Sequence, residues 1–600
     1  MTDSILIFTF GPVQSFISEA RRAADLYVGS RILVELARAA GQSIVESCGG
    51  GRDDRPLIFP AALDAHDMPN KLLAQVPWER AEEIAGKARE ALLRKWKEIA
   101  ATACDWLKEK GPPLDQTWSE IWERQIENHW EVYWSVALWD GDYAHAYHLA
   151  SRGLDAAKRT RAFDPSEEGD RKDSLSGRRT ALRLGGTKQD ARWYWGQIAG
   201  QVEPARLRPE GKERLDAIGA VKRFCELARK KGFASTSSVA AADYVAMLDR
   251  APQEVMAHQR AVEDLLGNCL HPLNTSASWP YDGNLLYEET FTRARLREDY
   301  NLQTPDQDRL DRAKATLRNL FTATERQPSP YYAIIVLDGD NMGAQVAACE
   351  SAEQHRELSE KLSRFARTVG NGLGRQGEGS WGYHAQLVYN GGDDVLVLSP
   401  LAEALDLAQR LAGEFEQTVG ATASAGIAIA HHLYPLDAAL RAARRAEKQA
   451  KGVEGKAALC VHVLKRSGQT REMRSRWQDM GDNMARLVEL FRDDSDGGAQ
   501  LAAGLAYDLL AVAPALPEAD DKLAAELRRL LRRHRNRRHP QPLSETQCQL
   551  WACQLRAWAA SMPGAEPEFS AQQGEMGNQT EELGHWLTLA HWIAQGGREQ

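Results

Sequence analysis

The sequence predicts an α+β protein in which sheet-containing segments alternate with helical ones. Three observations support this: a buried strand at the start of the chain, an ordered series of strands and helices after residue 330, and helical periodicity over residues 204–270 and 474–600. With 600 residues, of which 43% are hydrophobic and 26% are charged, the chain is long enough for about three to five domains.

The first part of the chain begins with one apolar strand and continues mainly as helices. SILIFTF (4–10) predicts a buried strand ending in a Gly-Pro turn, and the periodicity after it predicts a helix from Val13 to Ala40. Residues 72–135 have helical periodicity with many Trp, which we expect to pack in a core rather than to stack on bases. The charged, Gly- and Ser-rich stretch 163–190 predicts an exposed loop.

From residue 331 the pattern predicts a β-α-β-β-α-β series followed by one more helix and strand. This is the order of a ferredoxin-like palm. The predicted strands are 331–338, 384–390, 395–399, 421–432 and 457–465, and the predicted helices are 350–372, 401–418 and 436–451. After about residue 474 the pattern is helical apart from a loop at APALPEADD, so we expect a separate helical domain there.

Charge and cysteine usage limit the class of protein. A net charge of −9 argues against a chain that coats nucleic acid over its whole surface, so RNA or DNA contacts would come from local basic patches. The eight cysteines include no C-x-x-C pair, which indicates a reducing compartment and no disulfide framework. No apolar run approaches the roughly 20 residues that span a bilayer. We therefore expect a cytoplasmic protein without a membrane partner.

The stretch LVYNGGDDVLVLSP contains the strongest chemical signal. Only four residues, Gly391, Gly392, Asp393 and Asp394, separate two strand-like runs, which predicts a tight hairpin. Glycine supplies the positive φ of such a turn and lets the phosphates of a ligand approach the backbone. Two adjacent carboxylates repel each other, and a bound divalent cation would relieve that repulsion. The alternative is a solvated, Asp-rich turn.

A second acidic pair follows the first strand of the series. Asp338 ends IIVLD and Asp340 lies two residues on; in a palm, this strand lies beside the hairpin. Asp338, Asp393 and Asp394 would then meet at one sheet edge, and we add Asp340 as a further predicted metal ligand. Such carboxylates can hold two Mg²⁺ (or Mn²⁺) ions that bridge a nucleoside triphosphate, activate a ribose hydroxyl and stabilise the leaving pyrophosphate. The upstream DGDN favours this interpretation over the solvated turn.

These motifs resemble the GGDEF-type nucleotidyl cyclase palm. TASAGIAIA followed by AALRAARRAEKQAKG is similar to the strand with Ser-x-Gly and the helix ending in Ala-Lys of that palm. The match covers Ser424, Gly426 and Lys451, and it implies that Ser424 and Lys451 bind the nucleotide, with Lys451 contacting the triphosphate. More narrowly, FGPVQSFISEARRAADLYVGSR, MPNKLLAQVP, YYAIIVLDGDNMG, LVYNGGDDVLVLSP and VLKRSGQ resemble, in this order, the large subunit of type III-B CRISPR effectors, the Cmr complexes.

The resemblance implies two palms in one chain and an RNA-activated enzyme. On recognition of target RNA through a guide RNA, such a subunit polymerises ATP into a cyclic oligoadenylate messenger, with the other Cmr subunits, guide RNA and target RNA as partners. The implied divisions are 1–200 for a first palm with helical insertions, 201–327 for a helical linking domain, 328–470 for the second palm and 471–600 for a C-terminal helical domain. The ring size of the product and the identity of the acceptor stay open.

The first palm is expected to be catalytically silent. Thr9, Phe10 and Gly11 occupy the place of an aspartate at the strand end, so its implied role is to bind a second ATP. Asp25 and Ser30 in DLYVGS are the candidate contacts. The alternative for this stretch is a capped, packed helix.

The chain departs from the family pattern in two places. Many members carry an N-terminal HD nuclease domain, whereas the first palm begins here at residue 5, and His66-Asp67 lacks an upstream histidine, so we expect no nuclease activity. In KDSLSG, Asp173 and Ser176 stand where many members have the cysteines of half a zinc site, so no zinc is expected.

Two further sets of residues have the composition of binding sites. His431 and His432 are expected to point to opposite faces of a strand and therefore not to bind a metal together. ELRRLLRRHRNRRHP (526–540) contains seven Arg and two His, and either a solvated helix end or a contact with RNA phosphates or an acidic subunit accounts for it. Two whole-protein alternatives also remain, namely a non-catalytic scaffold subunit and a diguanylate cyclase that uses GTP.

Overall fold

The structure, a computed structural model, contains two sheets joined and flanked by helices, as the predicted α+β class requires. It describes residues 3–49, 56–63, 68–160, 171–185, 190–204, 206–230, 233–273, 278–374, 379–465, 470–493, 498–562 and 578–597. Within these ranges no helix is both long and apolar enough to cross a membrane.

The first sheet has four antiparallel strands in the order β2-β3-β1-β4. The strands are β1 (Asp3–Gly11), β2 (Leu57–Phe59), β3 (Lys71–Pro77) and β4 (Glu131–Leu138). The predicted strand 4–10 is confirmed as the core of β1. The helical prediction for 72–135 is wrong at both ends, where β3 and β4 pair with β1. Whether such short apolar runs form strands or helices depends on pairing with distant parts of the same chain.

Helices follow β1 and surround this sheet. They are α1 (Gln14–Ser18), α2 (Ala23–Ser47), α3 (Ala81–Lys110), α4 (Gln116–Glu127), α5 (Tyr143–Arg159) and α6 (Ala191–Ala199). The Trp residues at 96, 106, 118, 122 and 130 are buried, as the predicted packing role requires, whereas Trp78 is 46% exposed.

The predicted continuous helix from Val13 to Ala40 is broken between α1 and α2. Lys222, only 1% exposed, donates to the carbonyl of Phe16 at 2.8 Å and also to the carbonyl of Glu19. The buried ammonium thus satisfies carbonyls that the interruption leaves outside the helical ladder. No local pattern signals a break that depends on a side chain about 200 residues away in the sequence.

A helical segment leads from the first sheet to the second. Its helices are α7 (Ala217–Phe224), α8 (Glu226–Lys230), α9 (Thr236–Ala240), α10 (Ala242–Val245), α11 (Pro252–Leu266), α12 (Arg293–Tyr300) and α13 (Gln307–Thr324). Short 3-10 helices occur at Trp78–Arg80, Pro209–Gly211, Leu248–Arg250, Gly267–Cys269, Gly283–Leu286, Glu288–Thr290, Leu401–Glu403 and Ala513–Ala515.

The second sheet has six strands in the order β10-β9-β8-β5-β7-β6. The strands are β5 (Tyr331–Gly339), β6 (Gln386–Asn390), β7 (Asp394–Pro400), β8 (Ala423–His431), β9 (Ala458–Leu464) and β10 (Arg471–Arg476). The helices between them are α14 (Met342–Ala347), α15 (Ala352–Gly372), α16 (Ala404–Val419) and α17 (Leu436–Lys451). The predicted β-α-β-β-α-β order and the added αβ unit are confirmed, and β10 is an additional strand.

The remaining helices pack beyond β10. They are α18 (Trp477–Met480), α19 (Asn483–Phe491), α20 (Gly504–Val512), α21 (Asp521–His534), α22 (Glu545–Ser561) and α23 (Gln579–Ala594). The predicted helical end of the chain is therefore present. The four-part domain division itself stays a prediction.

Helix α15 joins the two sheets. His355 Nδ1 lies 2.8 Å from the hydroxyl of Tyr143 on α5, and the Ser359 hydroxyl accepts a hydrogen bond of 2.8 Å from the backbone N–H of Ala61. One face of β1, with Ile5 and Ile7, belongs to the same apolar cluster as the core face of β5. The first sheet therefore supports the second sheet, on which the predicted site lies.

Candidate nucleotide and metal site on the second sheet

The hairpin between β6 and β7 is tighter than predicted. Three residues, Gly391, Gly392 and Asp393, connect the strands because Asp394 already opens β7. Gly391 N–H donates to the carbonyl of Asp394 at 2.8 Å, and Gly392 has a φ of +101°. The backbone conformation therefore favours glycine at 392, whereas a Cβ on Gly391 would lie 1.8 Å from the Tyr389 hydroxyl oxygen and would require that ring to move.

Strand pairing brings the predicted aspartates to one edge of the sheet. Asp338 on β5 pairs in register with Asp394 on β7, and with Ser424 on β8 on its other side. The next residue, Gly339, donates its N–H to the carbonyl of Asp393 at 3.1 Å. The structure thus places Asp338, Asp393 and Asp394 together at the strand ends, as predicted.

The two hairpin carboxylates are destabilised as anions. Burial raises the pKa of Asp393. Burial, reinforced by the charge of Asp393, raises the pKa of Asp394 to about 7, against the lowering effect of Arg444. Neither carboxylate accepts a hydrogen bond from another residue in the described ranges. Half-buried carboxylates with raised pKa values and no donors have the electrostatic character expected of cation ligands.

Lys451 lies at this edge, but its partner is a carboxylate. Its ammonium forms an ion pair with Asp338, lies 3.5 Å from the carbonyl oxygen of Gly339 and lies 3.5 Å from Oε1 of Glu447. A cation therefore already contacts the carboxylate predicted to bind a metal. The predicted triphosphate contact of Lys451 requires the ammonium to leave Asp338.

Gly426 explains how α17 reaches the site. A Cβ at Gly426 would lie 2.0 Å from the backbone nitrogen of Glu447 and 2.2 Å from the carbonyl oxygen of Ala443. The absence of a side chain lets α17 pack directly on β8. This contact fixes the helix face that carries Arg444, Glu447 and Lys451 against the sheet edge.

Sequence reasoning missed two charged residues of this face. Arg444 lowers the pKa of Asp394, and Glu447 raises it. Arg444, Glu447 and Lys451 are separated by three and then four residues on α17, so they lie on one helix face. This spacing is the signal that could have identified Arg444 and Glu447.

Asp340 has a structural role in this arrangement. Its carboxylate accepts hydrogen bonds from the Thr422 hydroxyl at 2.9 Å, the Ser424 hydroxyl at 2.8 Å and the backbone N–H of Ala457 at 3.0 Å. The side chain is buried, and its lone pairs hold the start of β8 and the residue before β9. The geometry therefore does not support Asp340 as a metal ligand, nor Ser424 as a direct nucleotide contact.

Asp25 and Ser30 lie on α2 and not on an open surface. Asp25, 2% exposed, receives two hydrogen bonds of 2.7 Å from the guanidinium of Arg223 on α7. Ser30 is fully buried, and its hydroxyl has no hydrogen-bond partner among the described residues. Both residues therefore lie on a packed helix, which was the alternative interpretation of this stretch. Their contact with a nucleotide stays a prediction.

The histidine prediction is wrong in its geometry. His431 ends β8, so the chain no longer alternates between faces, and the rings of His431 and His432 stack with centroids 4.7 Å apart. Both face Glu289, with Nε2 to Oε1 distances of 3.7 and 2.7 Å. In the described ranges these three residues, and not the aspartates, form the compact group of metal-type ligands. However, Nδ1 of His431 accepts a hydrogen bond of 3.2 Å from the backbone N–H of Leu433. The proton of the neutral ring therefore lies on Nε2, which faces Glu289, so this nitrogen has no lone pair for a metal.

The other predicted features have the following positions. His66-Asp67 and residues 466–468 lie outside the described residues. Asp173 accepts hydrogen bonds from Leu175 N–H, Ser176 N–H and the Ser176 hydroxyl, which closes a local turn. Within 526–540, four arginines form ion pairs, namely Arg528 and Arg532 with Glu545, Arg529 with Glu526, and Arg533 with Asp508.

Two family descriptions match the chain. Residues 331–460 match the family described as Cas10/Cmr2, second palm domain, and residues 5–66 match the family described as CRISPR-associated protein Cmr2, N-terminal. The first match covers both aspartate motifs and α17, and the second covers β1, both following helices and β2.

A curated relative and two solved structures are similar over longer ranges. The CRISPR system Cmr subunit Cmr2 of Pyrococcus furiosus is 24% identical over 544 residues, covering 76% of this chain and 61% of the relative, so the chain spans less than two thirds of that protein. A type III-B Cmr-beta structure in the apo state superposes with a TM-score of 0.64 at 12% identity, covering 100% of this chain and 82% of the other. Cmr-beta bound to cognate target RNA gives 0.63 at 13% identity, with 99% and 83% covered. These likenesses show the fold.

Proposed function

Because residues 331–460 match the description Cas10/Cmr2, second palm domain, and residues 5–66 match Cmr2, N-terminal, we propose that the chain is the large subunit of a type III-B CRISPR complex and that its second palm joins adenylates. ATP is the proposed substrate and a cyclic oligoadenylate, or a related adenylate, the product. The reaction is attack of a ribose 3′-hydroxyl on an α-phosphate with release of pyrophosphate.

One observation carries this proposal: Asp338 and Asp394 are paired across neighbouring strands, with Asp393 at the adjoining turn. The donor set fits a hard divalent cation, since all three side chains are carboxylates and the hairpin pair has no competing hydrogen-bond donor in the described ranges. Mg²⁺ or Mn²⁺ held by Asp338, Asp393 and Asp394 would neutralise the triphosphate and lower the pKa of the attacking hydroxyl.

The chain supplies the positioning groups. Gly391 and Gly392 leave the hairpin backbone without side chains, so a phosphate can approach it at Gly392 and, once the Tyr389 ring moves, at Gly391. Lys451, released from Asp338, would contact the triphosphate as a point charge. Arg444 stays beside Asp394 and offsets part of the negative charge that gathers at this edge.

The first palm is proposed to bind rather than to react. Its central strand β1 ends in Thr9, Phe10 and Gly11, and the Asn70 amide donates to the carbonyl of Phe10 at 3.1 Å. No carboxylate stands at the end of this strand in place of Asp338. We therefore propose that the first palm binds the second ATP molecule. The four-part division of the chain is also part of the proposal.

The proposed partners are the other Cmr subunits, a guide RNA and a target RNA. The family match and the fold likeness to Cmr-beta, one form of which was solved with cognate target RNA, support this assignment. Target RNA would switch the second palm on.

A non-catalytic scaffold is the second candidate. The observation that favours it is the ion pair between Asp338 and Lys451, which occupies one of the proposed metal ligands. A scaffold would keep this pair in every state of the complex, whereas an enzyme must open it.

The test is product formation by the purified chain, alone and in its guide-loaded complex, with α-labelled ATP or GTP, Mg²⁺ and matching or non-matching RNA. We expect a labelled adenylate product from ATP only with matching RNA. A product from GTP alone would favour the diguanylate cyclase alternative, and no product with any nucleotide or metal would favour the scaffold.

A further inference from the structure

A cavity lies at the end of the second sheet opposite the aspartates. It has a volume of about 290 Å³ and is enclosed by the end of β9, the start of β10, and helices α20 and α23. The residues that matter for its chemistry are Lys465, Arg471, Tyr507, His585, His591 and Trp592. We refer to it as the β10 cavity.

The β10 cavity is separate from the aspartate site. β8 and β9 run parallel, with Ala430 beside Leu464, and Ala430 is six residues along β8 from Ser424. At about 3.3 Å per residue, the two ends of the sheet are about 20 Å apart. A ligand in the β10 cavity therefore does not contact the hairpin.

The described part of the cavity lining is cationic. Arg471 and Lys465 contribute positive charge, and no Asp or Glu lines the cavity among the described residues. Arg471 is half-buried and forms no ion pair or side-chain hydrogen bond in the described part of the chain, unlike Arg528 and Arg532, which share Glu545. A partly buried guanidinium without a counter-ion favours the binding of an anion that can accept two parallel hydrogen bonds, such as phosphate.

The wall also offers neutral donors. Burial, reinforced by Arg471, lowers the pKa of His585 to about 4, so its ring is neutral near pH 7 and carries one N–H. Trp592 is 7% exposed, and its buried Nε1–H donates to no acceptor in the described ranges. This N–H is therefore available to a ligand in the cavity.

An aromatic side chain stands beside these donors. The ring of Tyr507 on α20 is 57% exposed, which makes it one of the most exposed large hydrophobic side chains in the described ranges. Bases stack on such rings irrespective of their sequence. The cavity volume is near the lower limit of about 300 Å³ for small-molecule sites, so it fits one nucleotide-sized group and not a folded partner.

We propose that the β10 cavity binds one nucleoside 5′-phosphate, with the phosphate on Arg471 and the base against Tyr507. This site goes beyond the proposed function, because it lies outside both palm motifs. A free nucleotide and the phosphorylated end of a single-stranded RNA present the same chemistry.

Calorimetric titration of the full-length chain tests the proposal. The probes are AMP, inorganic phosphate and a 5′-phosphorylated RNA hexamer, in EDTA at low salt and in an Asp393→Ala/Asp394→Ala background that suppresses metal-dependent binding at the palm. We expect AMP or the hexamer to bind with one site per chain. A preference for AMP identifies a free nucleotide as the source, and a preference for the hexamer identifies an RNA end.

Three variants localise the binding. Arg471→Gln should weaken binding about tenfold or more, and Arg471→Lys should lose less because it keeps the charge. Tyr507→Ala should weaken AMP or hexamer binding about tenfold but leave the binding of inorganic phosphate unchanged. Arg318→Gln, which removes an exposed arginine already paired with Glu288, is the matched control and should bind as the parent does.

Three results would disprove binding of a nucleoside 5′-phosphate in the β10 cavity. Failure of both AMP and the hexamer to bind the parent chain would disprove the proposal. So would equal affinities of the parent and Arg471→Gln, or an equal loss in Arg318→Gln. Thermal unfolding of each variant shows that it is folded, and Arg471→Lys keeps the test valid if Arg471→Gln is not.

Discussion

The carboxylate of Asp338, at the end of β5, forms an ion pair with the ammonium of Lys451, at the end of α17. The pair links a predicted metal ligand to a predicted triphosphate contact. Before substrate binds, each of the two charged groups is therefore paired with the other. A metal ion and the ammonium compete for one carboxylate. Binding of metal with nucleotide would free Lys451 and give it a phosphate partner in the same step.

Lys451→Ala should therefore have opposite effects on two ligands. In the absence of nucleotide, Mn²⁺ binding measured by electron paramagnetic resonance should strengthen by about two- to fivefold, the range of a partly exposed ion pair. ATP binding should weaken. Lys448→Ala, three residues earlier and exposed on the same helix, is the control. Unchanged Mn²⁺ and ATP affinities in Lys451→Ala would contradict this link.

Asp340→Asn and Asp338→Asn should separate a structural carboxylate from a ligand. Asp340 accepts three hydrogen bonds while buried, so its replacement should lower the free energy of unfolding by roughly 1–3 kcal/mol and leave Mn²⁺ affinity largely unchanged. Asp338→Asn should weaken Mn²⁺ binding with little change in stability. Urea denaturation and Mn²⁺ titration of both variants check this, and the reverse pattern would restore Asp340 as a ligand.

Gly426→Ala should disturb the packing of α17 on β8. The added Cβ would lie 2.0 Å from a backbone nitrogen, which can be relieved only by moving the helix that carries Arg444 and Lys451. We expect a loss of about 1–3 kcal/mol in the free energy of unfolding, together with weaker ATP binding. Gly413→Ala is the matched control, because nothing lies within 4 Å of its Cβ and alanine favours a helix interior. A Gly426→Ala protein as stable as the parent would contradict the packing role.

His355 makes the contact between the two sheets sensitive to acid. Burial, with a contribution from Lys71, lowers the pKa of His355 to about 4, below its usual 6.5. The folded state therefore binds a proton less readily than the unfolded state, so stability is lost as the pH falls from about 6.5 towards 4, by up to ~3 kcal/mol. Urea denaturation at pH 7 and pH 4.5 should show a smaller drop in His355→Gln than in the parent.

The control for this pH effect is His145→Gln, which replaces an exposed histidine on α5. It should keep the full drop in stability between the two pH values. An identical pH dependence of His355→Gln and the parent would show that the contact between His355 and Tyr143 does not carry the effect.

The second sheet could be predicted because its signals are local. Apolar runs of strand length, separated by helical periods, determine the order of β5 to β9, and the connection between β6 and β7 is too short for any geometry except a hairpin. The position of Asp338 beside Asp394 follows from that order. The fold likeness to Cmr-beta agrees with this part of the prediction.

The features that were missed depend on contacts between distant residues. Lys222 binds the carbonyls at the interruption after Ser18, and Thr422 and Ala457 donate the hydrogen bonds that make Asp340 a structural acceptor. His432 turns toward Glu289 because β8 ends one residue earlier. Such partners are separated in the sequence by up to about 200 residues, and periodicity within a short window contains no information about them.

The most direct test of the central claim is the rate of adenylate synthesis by the guide-loaded complex carrying Asp393→Asn/Asp394→Asn, measured with α-labelled ATP, Mg²⁺ and matching RNA. Asp437→Asn, at the opposite end of α17, is the control because Asp437 is partly exposed and pairs only locally with Arg441. We predict that the double variant assembles normally but loses at least about 100-fold in rate, while Asp437→Asn keeps the parent rate. A double variant that synthesises product at the parent rate would contradict the assignment of the hairpin as the catalytic centre.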